Sequence, residues 1–397
     1  MARRVSATDG GRRVLLQWAD GTTSAFPAVW LRDNCHCAQC FTSGAIHVRT
    51  LLMEHLDVDC TVQEVKLEQE GAEVAMRWSD GHAGTFSPGW LRQRAFEPAQ
   101  RAARGVVCRP TLQPWDAALA ADLPRLPFVR VMQEDAALLE ALLHLERYGL
   151  VLLEEAPAQP GHVRRLCERI AFMRTTHFGE EFTVRVKVDP TSIAYTARNI
   201  EIHTDACYYD YMPGLQILHF IVQYEGKGGE TQLADGAQIC RDLRQQDPDA
   251  FQLLTTVKVD FKNVTMGENG KHHFKLLQAP VITLDSEGEL QCLRFTTSQR
   301  DSYFSAPIEQ IEPWYKAMKK LLNMFYDDKY IIKRKMKEGD MIVFDNVRLV
   351  HGREPLLEGG CVGERHLEGG YLDWDEVRSR RRVLQERLQG NPSGYGF

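Results

Sequence analysis

The sequence predicts a mainly β chain with flanking helices. It reads as a double-stranded β-helix, a form of jelly roll, preceded by a small zinc-binding β domain. Three observations carry this. The first hundred residues hold two copies of a hairpin pattern beside a cysteine cluster. The remainder begins with amphipathic helical runs and continues as many short strand-like runs. Residues suited to metal chemistry lie far apart in sequence, on runs that a two-sheet fold brings together.

Length and composition set the frame. A chain of 397 residues suggests two to three domains, read here as 1–96, a linker at 97–127, and 128–397. A net charge of -6 gives no general attraction to nucleic acid or to acidic membranes. No apolar run approaches the length of a membrane span. Arg3, Arg4, Arg12 and Arg13 resemble transit-peptide composition, but a strand-like run already starts at Val14. Of the 10 cysteines, Cys35, Cys37 and Cys40 cluster and the rest are scattered. Reduced thiols plus one metal cluster, in a soluble cytoplasmic protein, is the expectation.

The N-terminal region repeats every 60 residues. Trp18-Ala19-Asp20-Gly21 returns as Trp78-Ser79-Asp80-Gly81, Phe26 as Phe86, and Trp30-Leu31-Arg32 as Trp90-Leu91-Arg92. Each copy reads as a hairpin turning at Asp-Gly. A module this small needs a staple. Cys35, Cys37 and Cys40 supply three thiolates for tetrahedral zinc, with His36, His47 or His82 as the fourth ligand. His36 is squeezed between two ligands. His82 follows the second Asp-Gly turn, where the first copy has Thr22, and is favoured. The prolines at 98, 110, 114, 124 and 127 mark the linker.

The larger domain opens with a helix over 134–148, Leu138, Leu139, Leu142, Leu143 and Leu145 forming its apolar face and Gly149 its cap. A buried strand at 150–153 and a helix over 162–172 follow. Strands are expected at 214–224, 231–234, 256–264, 280–284, 291–295, 331–336 and 341–344, with a helix over 307–326. The charged tail, 375–389, reads as a helix that contributes to assembly or presents a solvated face.

His203-Thr204-Asp205 and the distant His351 are the candidate catalytic residues. Two histidines and a carboxylate can occupy one face of iron(II) and leave positions open for a co-substrate and dioxygen. On an extended strand His203 and Asp205, two apart, point the same way. Arg365, beyond His351, can sit on a neighbouring strand and grip a carboxylate. Thr231, after Gly228-Gly229, is placed to donate to the same group.

Taken together, Leu31-Arg32-Asp33-Asn34-Cys35-His36-Cys37-Ala38-Gln39-Cys40, Ile202-His203-Thr204-Asp205, Phe344-Asp345-Asn346, His351-Gly352-Arg353 and Arg365-His366-Leu367-Glu368-Gly369-Gly370-Tyr371 resemble the γ-butyrobetaine/trimethyllysine dioxygenase family of Fe(II)/2-oxoglutarate oxygenases. The resemblance runs from about residue 12 to 388. It implies Fe(II) held by His203, Asp205 and His351, 2-oxoglutarate held by Arg365, Thr231 and Leu218, structural Zn(II), and ascorbate as reductant. It implies a small trimethylammonium acid as substrate, γ-butyrobetaine first, and a homodimer.

The family's aromatic cage falls on Phe178, Phe182, Tyr195 and Tyr371. Phe178 and Phe182 replace a tyrosine and a tryptophan. Its carboxylate-holding asparagines fall on Ser192 and Thr296, which offer hydroxyls instead. Rival readings are another quaternary ammonium substrate, a methylated peptide, or a zinc-stabilised binding protein without catalysis.

Overall fold

The computed structural model describes residues 2–42, 48–108, 110–185, 196–267, 270–357 and 365–390. They divide into two compact units, one within residues 1–110 and one spanning 111–390.

The first unit shows the repeat directly. Each copy is a three-stranded antiparallel sheet: Ala2–Thr8, Arg13–Trp18 and Thr23–Pro27, then Val62–Glu68, Glu73–Trp78 and Ala83–Phe86. The expected hairpins form the second and third strands. Val14, Leu16 and Trp18 alternate inward in one copy, and Val74, Met76 and Trp78 in the other. Both sets join one core cluster. The first strand of each sheet, with its charged exposed positions, was not expected.

The stretch expected as a linker is structured. It contains a helix, Pro98–Cys108, a 3-10 segment, Ala117–Asp122, and a short strand, Arg125–Pro127. Pro98 occupies the start of its helix, where a missing N–H costs nothing, so it starts structure here instead of breaking it.

In the second unit ten strands bear on the site. They are β1 (Arg125–Pro127), β2 (Leu150–Glu154), β3 (Glu181–Arg185), β4 (Ile200–His203), β5 (Leu215–Val222), β6 (Thr231–Asp235), β7 (Ile332–Arg334), β8 (Met341–Asp345), β9 (Leu349–Arg353) and β10 (His366–Leu372). One sheet has the order β3-β10-β5-β8-β2-β1, the other β4-β9-β6-β7. All pairs are antiparallel except β1 with β2. Leu152, Phe220, Ile342, Phe344 and Leu367 of the first sheet share a core cluster with Leu233, Ile332 and Leu349 of the second. Helices Asp135–Tyr148, His162–Ile170 and Trp374–Gln389 cover the outer face of the first sheet through a second cluster. Gly149 ends the first of these at φ 76, as a left-handed cap requires.

Several expectations shift. The strand placed at 256–264 is Val259–Met266, because Pro248–Thr256 is a helix started by Pro248 and capped by Asp247. The tail is a helix from Trp374, and its face is not wholly solvated: Arg381 is buried and paired with Glu146 at 2.8 Å. The glycine-rich run 366–372, for which the sequence reading set no strand bounds although Arg365 was expected on a strand, is the fully buried β10.

Candidate active site

The two sheets enclose a cavity of about 210 Å³, sized for small molecules. Its lining includes His203, Asp205, His351, Arg365, Thr231, Leu218, Phe178, Phe182, Thr296 and Tyr371. Ser192 and Tyr195 lie outside the described residues.

His203 ends β4 and pairs across the ladder with His351 on β9. Their rings are 4.3 Å apart. Asp205 lies just past the strand, so strand alternation does not aim it as the spacing suggested. A turn does. Ala206 has φ 59, and Asn346 clamps Asp205 by accepting from its N–H at 2.7 Å and donating to its carbonyl at 3.0 Å. The result is the same convergence. One donor atom from each of His203, Asp205 and His351 lies within 4.8 Å of the others. His203 Nδ1 donates to the Glu201 carbonyl at 2.8 Å, which turns Nε2 toward Asp205 Oδ1, 3.1 Å away, where a bound cation would take the place of that contact. Tyr371 donates to Asp205 Oδ2 at 2.7 Å.

The electrostatics favour a cation here. Burial opposes charge on Asp205, yet the His203 hydrogen bond, the imidazoles and Tyr371 hold its carboxyl well below the usual range. Burial and the neighbouring His203 push His351 down to about 3, keeping it a neutral donor. A carboxylate and two imidazoles whose donor atoms converge are a fitting donor set for iron(II).

Arg365 precedes β10, in the sheet opposite His351, and not on a strand adjacent to it as expected. It is only 4% exposed, and its Nε has no hydrogen-bond partner. Its guanidinium lies 5.7 Å from the Phe220 ring centroid. Burial and the charge of Arg353 push Arg365 down to about 9. Burial alone pushes Arg353 down to about 10, and its Nε and Nη1 are also unpartnered. Two buried guanidiniums short of acceptors form an anion site. Arg353 belongs to it although sequence reasoning singled out only Arg365. The alternation of β9, which puts His351 and Arg353 on one face, was the available signal.

Beside Asp205 the wall is aromatic. Phe182 and Tyr371 have ring centroids 5.2 Å apart, and Phe178 and Phe182 6.3 Å. Phe182 pairs with Gly369 across the β3–β10 ladder, and a Cβ on Gly369 would collide with the Phe182 ring. The glycine run thus seats the ring. Tyr208 and Gln216 also line the cavity and were missed. Thr296 is buried, its hydroxyl 3.4 Å from that of Ser298.

In the first unit, Cys35, Cys37 and Cys40 surround His82 Nε2 at 3.3, 3.5 and 3.5 Å. His36 instead packs against Phe41 and Trp90. His47 lies outside the described residues. Burial pushes the Cys35 thiol up to about 12, so its thiolate needs a cation. Arg32 donates to Cys40 Sγ at 3.2 Å and to Asp80 at 2.6 Å, while Asp80 accepts the His82 N–H at 2.9 Å.

Two imidazoles, one carboxylate and a buried basic anion site between two sheets define the class of iron- and 2-oxoglutarate-dependent oxygenases. Comparisons with known proteins agree. Residues 110–371 match the taurine catabolism dioxygenase TauD, TfdA family. Residues 5–92 match the gamma-butyrobetaine hydroxylase-like N-terminal family. The gamma-butyrobetaine dioxygenase of Homo sapiens is 35% identical over 393 residues, 98% of each chain. That of Pseudomonas sp. (strain AK-1) is 36% identical over 380 residues, 96% of each chain. The mitochondrial trimethyllysine dioxygenase of Mus musculus is 28% identical over 373 residues, covering 93% of this chain and 85% of that one. The chain belongs to the γ-butyrobetaine dioxygenase family, and it is a dioxygenase.

Proposed function

We propose that the enzyme hydroxylates a small trimethylammonium acid, γ-butyrobetaine first, giving L-carnitine. The observation that carries this is the aromatic wall of Phe178, Phe182 and Tyr371 directly beside the carboxylate of Asp205, a proposed iron ligand. Ring faces attract a quaternary cation, which has no hydrogen to donate. Tyr195 and Ser192, which the resemblance assigns to the cage and to the acid end, lie outside the described residues.

The two sheets act as a double-stranded β-helix that holds each group in place. His203, Asp205 and His351 would hold iron(II). Arg365, assisted by Arg353 and Thr231, would hold the far carboxylate of 2-oxoglutarate, with Leu218 and Phe220 packing along its chain. When bound, iron(II) with 2-oxoglutarate and dioxygen supplies oxidative decarboxylation to succinate and carbon dioxide, and oxygen transfer into a C–H bond. The chain's own residues do the rest. The guanidiniums fix one end of the co-substrate. The rings fix the cation, so one carbon faces the metal position. The apolar lining of Phe182, Leu218, Phe220 and Leu367 restricts water. Ascorbate is the proposed reductant.

Cys35, Cys37, Cys40 and His82 are proposed to hold Zn(II) as a closed structural site. A homodimer is proposed as the working form. An exposed apolar sheet face bearing Val264, Met266, Phe274 and Leu276, the phenylalanine 70% exposed, suits a second copy.

A second reading keeps the chemistry and changes the head group. Among the described residues, Arg353 and Arg365 are the only arginines or lysines lining the cavity. The wall near Thr296 offers Thr297, Ser298 and Gln299. Such a wall also suits a neutral or differently spaced polar end. Succinate formation across a panel of trimethylammonium compounds, with and without a carboxylate, tests both. Absence of coupled turnover on every member would overturn the assignment.

A further inference from the structure

Gln216 lines the cavity wall with an amide that has no role so far. It is 2% exposed, yet its Oε1 has no hydrogen-bond partner. The carboxamide makes no side-chain hydrogen bond among the described residues, so its N–H donors remain for a ligand that carries acceptors. The fold shows which ligand. On β5, Gln216, Leu218 and Phe220 point to the cavity face in successive steps of two.

Cross-strand partners extend these steps into rows, because partners in register share a face. Gln216 lies between Tyr371 on β10 and Phe344 on β8. Tyr371 holds Asp205 Oδ2, and the Phe344 ring lies 4.9 Å from that of His351. Phe220, two steps along, lies under Arg365. The floor therefore runs from the anion site, past Leu218, to an unsatisfied carboxamide beneath the metal ligands.

We infer that Gln216 is a positioning residue for the 2-oxo-acid head of the co-substrate. Its carboxamide N–H donates to that head, or to the water that precedes it, while Arg365 holds the distal carboxylate. The inference rests on the proposed iron- and 2-oxoglutarate-dependent reading. A carboxamide suits this position because it offers a donor and an acceptor without charge. It can meet a water and then an anion without being re-protonated.

The test uses the full-length protein loaded with manganese(II) in the absence of oxygen, with 2-oxoglutarate and γ-butyrobetaine titrated separately by calorimetry. Gln216→Met keeps the length and removes the hydrogen bonds. Its Kd for 2-oxoglutarate should rise about tenfold, the effect of one charge-assisted hydrogen bond. Gln216→Glu, which adds a negative charge, should raise it further. Affinity for γ-butyrobetaine alone should hold, and the thermal midpoint should stay level or rise. With iron(II), the charge-transfer absorption of the 2-oxoglutarate complex should shift in Gln216→Met. Should that variant fold poorly, Gln216→Asn, which retracts the amide, should give an intermediate loss.

An unchanged Kd with an unshifted absorption overturns the inference, as does weakening confined to γ-butyrobetaine. If the unaltered protein fails to bind 2-oxoglutarate at all, the broader reading falls with it. Tight binding by the unaltered protein and equally tight binding by Gln216→Met refutes the inference alone.

Discussion

Replacing Arg365 by methionine should move affinity and stability in opposite directions. Arg365 is 4% exposed with an unpartnered Nε, and it lies near Arg353 with no carboxylate partner among the described residues. Burial and that neighbour bring it from 12.5 down to about 9. A base whose folded value is depressed destabilises the fold while charged. The penalty is full below about 9 and fades only as pH climbs toward the unfolded value. Each unit corresponds to about 1.4 kcal/mol, so the upper bound is about 5 kcal/mol. Relaxation and water entry reduce the expected cost to roughly 1–3 kcal/mol. Methionine removes the charge and keeps apolar contact with Phe220. The ligand-free variant should therefore melt a few degrees higher at pH 7.5 by differential scanning fluorimetry. Its affinity for 2-oxoglutarate should fall by about 3–5 kcal/mol, a factor of a hundred or more, because the bound carboxylate loses its partner. Calorimetry on manganese-loaded protein reads this directly. An unchanged Kd would place the co-substrate elsewhere, and a lower melting point would show that the guanidinium is satisfied in the free enzyme.

Asp205→Ala or His351→Ala should abolish coupled turnover while circular dichroism stays unchanged, since two ligands hold iron(II) poorly; near-normal hydroxylation at limiting iron would contradict the ligand assignment. Metal analysis should find one zinc per chain, and Cys37→Ser or chelation should lower the melting of the first unit; a zinc-free protein of normal stability would end that proposal. Asp345, held up to about 6 mainly by burial, contributes stability that is present below 3.8 and lost as pH rises through 6. Asp345→Asn should thus gain about 1–3 kcal/mol over the unaltered protein at pH 8 and nothing below pH 4, a difference that urea titrations at the two pH values would confirm or deny. Turnover of γ-butyrobetaine should exceed that of 4-aminobutyrate more than about tenfold, each ring contributing roughly 0.5–2 kcal/mol to the quaternary cation; equal efficiency would rule the cage out.

The parts of the site visible in the sequence were those carried by rare residue types at fixed spacing. His203, Asp205 and His351 stood out because few alternatives bind iron(II), and Cys35, Cys37 and Cys40 because three thiols crowd six residues. The 60-residue repeat exposed both hairpins through alternation and Asp-Gly. What failed was what depends on long-range pairing. β10 was hidden because Gly369 and Gly370 carry no strand propensity, and their role is to make room, Gly369 for Phe182. Helices Gly236–Gln246 and Pro248–Thr256 escape the sequence reading, which assigns no element between the strands expected at 231–234 and 256–264. Arg353 and Gln216 were not assigned to the site because an unpartnered buried atom is a property of three dimensions alone.

Tyr371 shows why recognition and chemistry are hard to separate in this site. Its hydroxyl donates to Asp205 Oδ2, and its ring stacks toward Phe182 in the cavity wall. Burial and the Asp205 charge raise its phenol well above the ordinary value, so it stays a donor at every working pH. The carboxylate it orients is thereby fixed relative to the ring face that meets the cation. Gln216 adjoins it in register on β5, next to Phe344 and hence His351. One row of three side chains thus sets the distance between the proposed cation, the metal ligands and the co-substrate head. Removing the Tyr371 hydroxyl alone would loosen Asp205 while leaving the ring face in place, so metal affinity would suffer before cation affinity does.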